Sequence, residues 1–196
     1  TAGHRYYLGP DFKESPENYL GQPYNPALAY SPAMVNFAFD YTGDGWDDVL
    51  IAESRAPALY VNPRGESRRW DRYKVFPQVT SEAITFQDVD GDGRPDAVFV
   101  GSNVLQYATP DPKNPTAPWI VHVVSEPGPW GFHGIGAGDV NGDGRVDVLH
   151  PDGWGEQAPK GTTEKAWTYH PVALGRVGPS GGGGAEMAVF DVNGDG

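Results

Sequence analysis

The chain contains no cysteine among its 196 residues. That excludes disulfide staples, thiolate chemistry and cysteine-built zinc sites, and it leaves the redox compartment unreadable from this residue type. Basic residues are also scarce. Lys and Arg number 14 against 26 Asp and Glu, for a formal net charge of -12, and the basic ones are scattered. A nucleic-acid surface needs them clustered, so no nucleic-acid partner is expected. No stretch approaches the roughly 18 apolar residues of a membrane-spanning helix, so no membrane insertion is expected. The chain opens on Thr1 without a basic-then-apolar leader, as an excised or mature chain would. No long amphipathic helix stands out. The HExxH motif of zinc hydrolases does not occur.

What the chain does have is 38% apolar and 12% aromatic residues, enough for a core, together with 27 Gly and 19 Pro spread between short apolar runs. That is the pattern of an all-β protein with many turns. It also repeats. "DYTGDGWDD" begins at Asp40, "DVDGDGRPD" at Asp88, "DVNGDGRVD" at Asp139 and "DVNGDG" at Asp191, at spacings of 48, 51 and 52 residues. Alignment on the first Asp brings further features into register. An apolar strand follows each complete motif, a second strand ends at Pro63, Pro110 or Pro159, and then comes Trp70, Trp119 or Trp167. Three residues after each Trp stands Tyr73, His122 or His170, and five after it Val75, Val124 or Val172. The odd Trp-to-Val spacing puts the two on opposite faces of a regular strand.

Each unit reads as strand, acidic loop, strand, turn, strand, loop, strand, which is one four-stranded antiparallel blade of a β-propeller. The blades are expected at about 34–78, 79–126 and 127–178, with a fourth, truncated, over 179–196. Residues 1–33 form an N-terminal segment, read as the end of a preceding blade. Closed propellers have four to eight blades, so the remaining blades of a longer chain are expected as partners.

The acidic loop suits one hard cation. Asp or Asn at positions 1, 3, 5 and 9 supply side-chain oxygens, position 7 supplies a backbone carbonyl, and glycines at 4 and 6 allow the tight turn that converges them. Calcium is the best match. Zinc and copper are disfavoured because the loops hold neither Cys nor His. Two loops carry the full set, Asp88/Asp90/Asp92/Asp96 with Arg94 at position 7 and Asp139/Asn141/Asp143/Asp147 with Arg145. The first has Asp40, Asp44 and Asp48 with Trp46 at position 7, but Thr42 at position 3 predicts a weaker site. The fourth retains Asp191, Asn193 and Asp195 and is expected to stay empty. Two or three Ca2+ ions are therefore expected, each contributing to folding by binding only the native loop. An EF-hand is unlike this pattern, because Ile51, Phe99 and His150 stand where its bidentate Glu belongs.

The segments "FAFDYTGDGWDDVLIA", "FQDVDGDGRPDAVFVG" and "GAGDVNGDGRVDVLHPDG" resemble FG-GAP/VCBS repeats of integrin α-subunit heads and many secreted bacterial proteins. The resemblance implies a calcium-bearing propeller, usually extracellular or periplasmic. It does not settle activity.

A second site is expected at the face opposite the calcium loops. Glu82, His133 and Glu186 each mark the start of an innermost strand, at the mouth of a central channel, and together could hold an additional metal there. Neighbouring turns would add Glu53, Arg55, His150, Asp152 and Trp154, while Trp130 and Phe132 could stack on a sugar ring. The three repeated tryptophans read as blade-to-blade packing, and His122 and His170 as outer-strand packing. The leading functional expectation is a non-catalytic propeller that binds a carbohydrate or protein ligand. The alternatives are a metal-assisted carbohydrate lyase or dehydratase, with Glu82 or His133 as base, and a purely structural domain of a larger secreted protein.

Overall fold

The computed structural model describes residues 4–21, 24–29, 31, 33–53, 56–130, 133–160, 167–175 and 186–194, with Glu53 described by its backbone alone. It divides into two compact units, Thr1–Gln78 with Pro110–Trp119, and Val79–Thr109 with Ile120–Gly196. Among the described residues there is no helix, and none long and apolar enough to cross a membrane.

The first unit holds one antiparallel meander of β1 (Ala33–Phe39), β2 (Asp48–Glu53), β3 (Ala56–Val61) and β4 (Asp71–Lys74), hydrogen-bonded in that order. Its centre is Ala33, Ile51, Ala58, Tyr60 and Trp70. The N-terminal segment covers this core. Tyr6 lies 5.3 Å from the Trp70 ring and Tyr19 stacks on Tyr60 at 4.9 Å, while Arg5 and Arg69 both pair with Glu17. Residues 110–119 belong to the same unit because Trp119 lies against Tyr41 and Phe76, at 5.0 and 5.5 Å between ring centroids.

The second unit holds two blade-like sheets. One is β5 (Thr85–Gln87), β6 (Asp96–Gly101), β7 (Val104–Thr109) and β8 (Ile120–Val123). The other is β9 (Ile135–Gly138), β10 (Asp147–His150), β11 (Gly153–Glu156) and β12 (Thr168–Pro171). They share a core of Val89, Val98, Val100, Leu105, Tyr107, Val124, Ile135 and Val148. Strand β6 is buried at every residue, so it reads as a continuous apolar run rather than an alternating one. The outermost strands are exposed. In β4 every residue is exposed, and Asp71, Arg72 and Lys74 put charge on that edge, which discourages pairing with another chain.

The odd spacing from Trp to Val is accounted for by the strand ends. Trp70 and Val75 flank β4, Trp119 and Val124 flank β8, and Trp167 and Val172 flank β12, so neither member of a pair obeys the parity of the strand between them. Each Trp packs against residues one repeat earlier where such residues exist: Trp119 meets Tyr41, and Trp167 approaches Tyr107 at 6.0 Å.

The third sheet departs from the four-stranded expectation. A fifth strand, β13 (Glu186–Ala188), adds to β9 in parallel, with Met187 opposite Gly136. Glycine makes this approach feasible, since a Cβ on Gly136 would collide with the Met187 carbonyl and one on Gly138 would lie 2.7 Å from the Val189 side chain. Gly136→Val is therefore expected to release β13 while leaving β9–β12 paired. Amide exchange should then show Met187 and Ala188 unprotected and Val148 still protected.

Candidate metal centre

The acidic loops join β1 to β2, β5 to β6 and β9 to β10. All three are built alike. The position-1 carboxylate faces the loop amides and accepts several of them. Asp88 takes the N–H groups of Gly91, Asp92 and Gly93 at 2.8–3.0 Å, and Asp139 takes those of Gly142, Asp143 and Gly144 at 2.8–3.1 Å. Asp40 takes those of Asp44 and Gly45. The turn needs left-handed backbone at positions 4 and 6, with φ between 70° and 88° for Gly43/Gly45, Gly91/Gly93 and Gly142/Gly144, so a Cβ at any of them would be strained.

The position-9 carboxylate sits at the base of each loop as the first residue of β2, β6 or β10, and Asp48, Asp96 and Asp147 all have 0% exposure. One of its oxygens accepts an amide from the start of the loop, at position 3 in the first and position 2 in the others: Thr42 to Asp48 at 3.0 Å, Val89 to Asp96 at 2.9 Å and Val140 to Asp147 at 2.9 Å. The other oxygen separates the loops. In Asp48 it accepts the amide of Asn62, just beyond β3, and in Asp147 that of Gln157, just beyond β11. The corresponding position beyond β7 is Pro110, which has no N–H. Oδ1 of Asp96 is accordingly buried with no hydrogen-bond partner.

An orphaned carboxylate oxygen in a buried site signals a missing partner. A cation has the charge to be that partner. Among the described residues, Asp88, Asp90 and Asp96 form the only group of three acid or imidazole side chains with one ligand atom each within 4.8 Å of one another, a group able to hold a metal ion. Hard oxygen donors suit a hard divalent ion. Without one the carboxylates oppose each other. Burial, then the neighbouring Asp90 charge, pushes the Asp96 carboxyl up to about 7, and burial followed by Asp92 raises Asp90. Burial also raises Asp48 and Asp147. By contrast, the amide of Gly144, ahead of other loop amides, holds Asp139 below the usual range.

Of the other metal-loop residues, Arg94 donates its backbone amide to Asp92, Arg145 its amide to Asp143, and Trp46 its amide to Asp44. In the fourth loop Asp191 accepts the amide of Gly194 at 2.6 Å, Asn193 lies within the same turn, and Asp195 lies outside the described residues.

The residues expected on the opposite face are dispersed in character. Glu82 and His133, from the approaches to β5 and β9, come together with carboxylate and imidazole 3.5 Å apart, both partly exposed. Glu186 is the exposed first residue of β13, opposite Ile135. His150 is 4% exposed, donates Nε2–H to the Trp130 carbonyl at 2.6 Å and accepts the Asp152 amide on Nδ1, which makes it a tie between β10 and the loop before β9. Trp154 stacks on His170 at 4.3 Å. Arg55 and Phe132 lie outside the described residues, as does the Glu53 side chain. Trp130 lines a cavity of about 440 Å³ together with Leu105, Val124, Trp167 and Tyr169, and Glu126 stands in the same lining.

Sequence reasoning missed four participants. Arg64 pairs with Asp44 at 2.9 Å, and Glu156 accepts from His170 at 2.7 Å and from Asn141 at 3.3 Å. Asn62 and Gln157 provide the amides that cap the position-9 carboxylates. The caps were legible in principle, because Asn62 and Pro110 stand at the same distance after Asp48 and Asp96.

The FG-GAP-like repeat family matches residues 40–99 and again 88–150, more than half of the chain, with the acidic loops inside both matches. The chain belongs to the FG-GAP-like repeat family. No curated protein matches it, and no solved structure does. The repeats explain why three loops share one design, while Pro110 and Arg64 are features of individual repeats.

The raised Asp96 carboxyl has a consequence for pH. Its folded pKa of about 7 lies above the ordinary 3.8, so its contribution to stability is complete below about pH 4 and is lost as pH rises through 7. In chelator, the urea midpoint is expected to fall between pH 4 and pH 8, and Asp96→Asn should shrink that fall. An equal fall in the variant would assign it to other groups.

Proposed function

We propose that this chain is a calcium-stabilised, secreted β-propeller module that binds a carbohydrate ligand without catalysing its conversion. The observation that carries the calcium part is the Asp88/Asp90/Asp96 group with its orphaned Asp96 oxygen. Calcium accepts six to eight oxygens at variable geometry, which suits a flexible acidic loop better than the strict octahedron of magnesium does. The bound ion would neutralise the carboxylates and fasten one blade strand to the next. Secretion follows from the same chemistry, since millimolar extracellular calcium keeps weak sites filled.

The ligand part rests on the cavity beside Trp130. Its volume of about 440 Å³ is in the range of small-ligand sites. Trp130 and Tyr169 meet edge to face at 5.5 Å, so they present differently oriented aromatic walls to a sugar ring. The Glu126 carboxylate and the Tyr169 hydroxyl could accept and donate hydrogen bonds to its hydroxyls. A lyase reading draws on the Glu82–His133 pair, an acid and an imidazole from neighbouring strand approaches.

Two measurements test the proposal. Calcium at about one hundred times its Kd should raise the melting temperature by about 5–10 °C over chelator, and an unchanged melting temperature would overturn the calcium part. Electrophoresis through gels containing polysaccharides should retard the chain on at least one of them. Trp130→Ala and, as a milder change, Glu126→Gln should abolish that retardation. If a polysaccharide is instead cleaved, and cleavage stops in His133→Ala, the lyase reading replaces the binding one.

A further inference from the structure

We propose that this chain carries one working divalent-cation site, the Asp88–Asp96 loop, and that in the first and third loops an arginine replaces the ion as the counter-charge. The inference rests on the reading that a cation stabilises the repeats, and it separates loops that the shared motif makes look equivalent.

Three positions point the same way. At position 5, Asp44 accepts Nε–H of Arg64 at 2.9 Å, and Asp143 accepts the Arg145 guanidinium as well as the Asn141 amide at 2.9 Å. Arg145 is held there by a second bond, from Nε to the Gln157 carbonyl at 3.0 Å. Asp92 has no such partner. The Arg94 backbone amide reaches it at 2.8 Å, and among the described residues no arginine side chain pairs with it. At position 3 the first and third loops have the uncharged Thr42 and Asn141, whereas the second has Asp90.

At position 9 the amides of Asn62 and Gln157 complete Asp48 and Asp147, whereas Asp96 keeps a buried, unpartnered oxygen. The second loop thus carries four carboxylates, three of them with ligand atoms within 4.8 Å of one another, and among the described residues no arginine side chain pairs with Asp92, against three carboxylates and a guanidinium in each of the others. Lys160 brings its ammonium beside Gly91 but forms no ion pair with the loop carboxylates among the described residues. Repulsion among four carboxylates favours a divalent ion strongly. In the other loops an incoming ion must displace a guanidinium that is already hydrogen-bonded in place.

The test is calorimetric titration of the chelator-stripped full chain with calcium. One site per chain is expected, absent in Asp96→Asn. Pro110→Ala restores an amide at the chain position that caps the equivalent carboxylate in the first loop, and it should weaken the wild-type site about tenfold. Arg145→Ala should open a second site in the third loop. Two or three equal sites in the wild-type chain would overturn the inference while leaving the calcium reading intact, as would unchanged affinity in Pro110→Ala. A chain that takes up no calcium would overturn both.

Discussion

A buried carboxylate at the foot of each acidic loop is the constraint on which the rest of these sheets depends. Asp48, Asp96 and Asp147 stand where the loop ends and the second strand of the blade begins, fully removed from solvent. Each accepts an amide from the second or third residue of its loop, and two of the three also accept an amide from the far end of the third strand. One side chain therefore sets loop closure and the alignment of the strand ends. Taking a charge out of water is costly unless it is well bonded, and the amides that these carboxylates accept offset part of that cost.

The loops are largely organised by their own hydrogen bonds. Amides at positions 4 to 6 converge on the position-1 Asp, and paired glycines permit the turn. An ion added to such a frame chiefly cancels repulsion and has little reshaping to do, so its contribution depends on how much uncancelled charge a given loop retains. The arginines and the neutral residues at position 3 grade the loops in this respect. Repetition of a motif in the sequence is therefore not repetition of a site.

Much of this was legible in the residues. The period near 50, the order of strands and the apolar run after each loop led to four-stranded sheets, because glycine pairs and alternating oxygens at fixed spacing leave few other readings. The parts that escaped lie in contacts between residues distant in sequence. Nothing local says that Arg64 turns back onto Asp44, twenty residues earlier, or that Glu156 joins His170 to Asn141. The parallel addition of β13 to β9 was invisible for a related reason. Gly136 and Gly138 read as ordinary strand glycines until the chain that packs over them is known. His150 reads in the sequence as a turn residue, although its burial beneath Trp130 is set by a loop twenty residues before it.

The placement of Trp119 bears on how the chain could fold while it is being made. Its ring lies on Tyr41 and Phe76, and its indole N–H is held by the Pro115 carbonyl, so the stretch 110–119 is an integral part of the first unit. A ribosome that had released the chain only as far as Gln78 would have supplied these four strands and still left those two aromatic rings without their cover. Completion of the first unit waits until β5, β6 and β7 have also emerged. Successive repeats are thereby linked in time as well as in space, each one sealed by the arrival of the next.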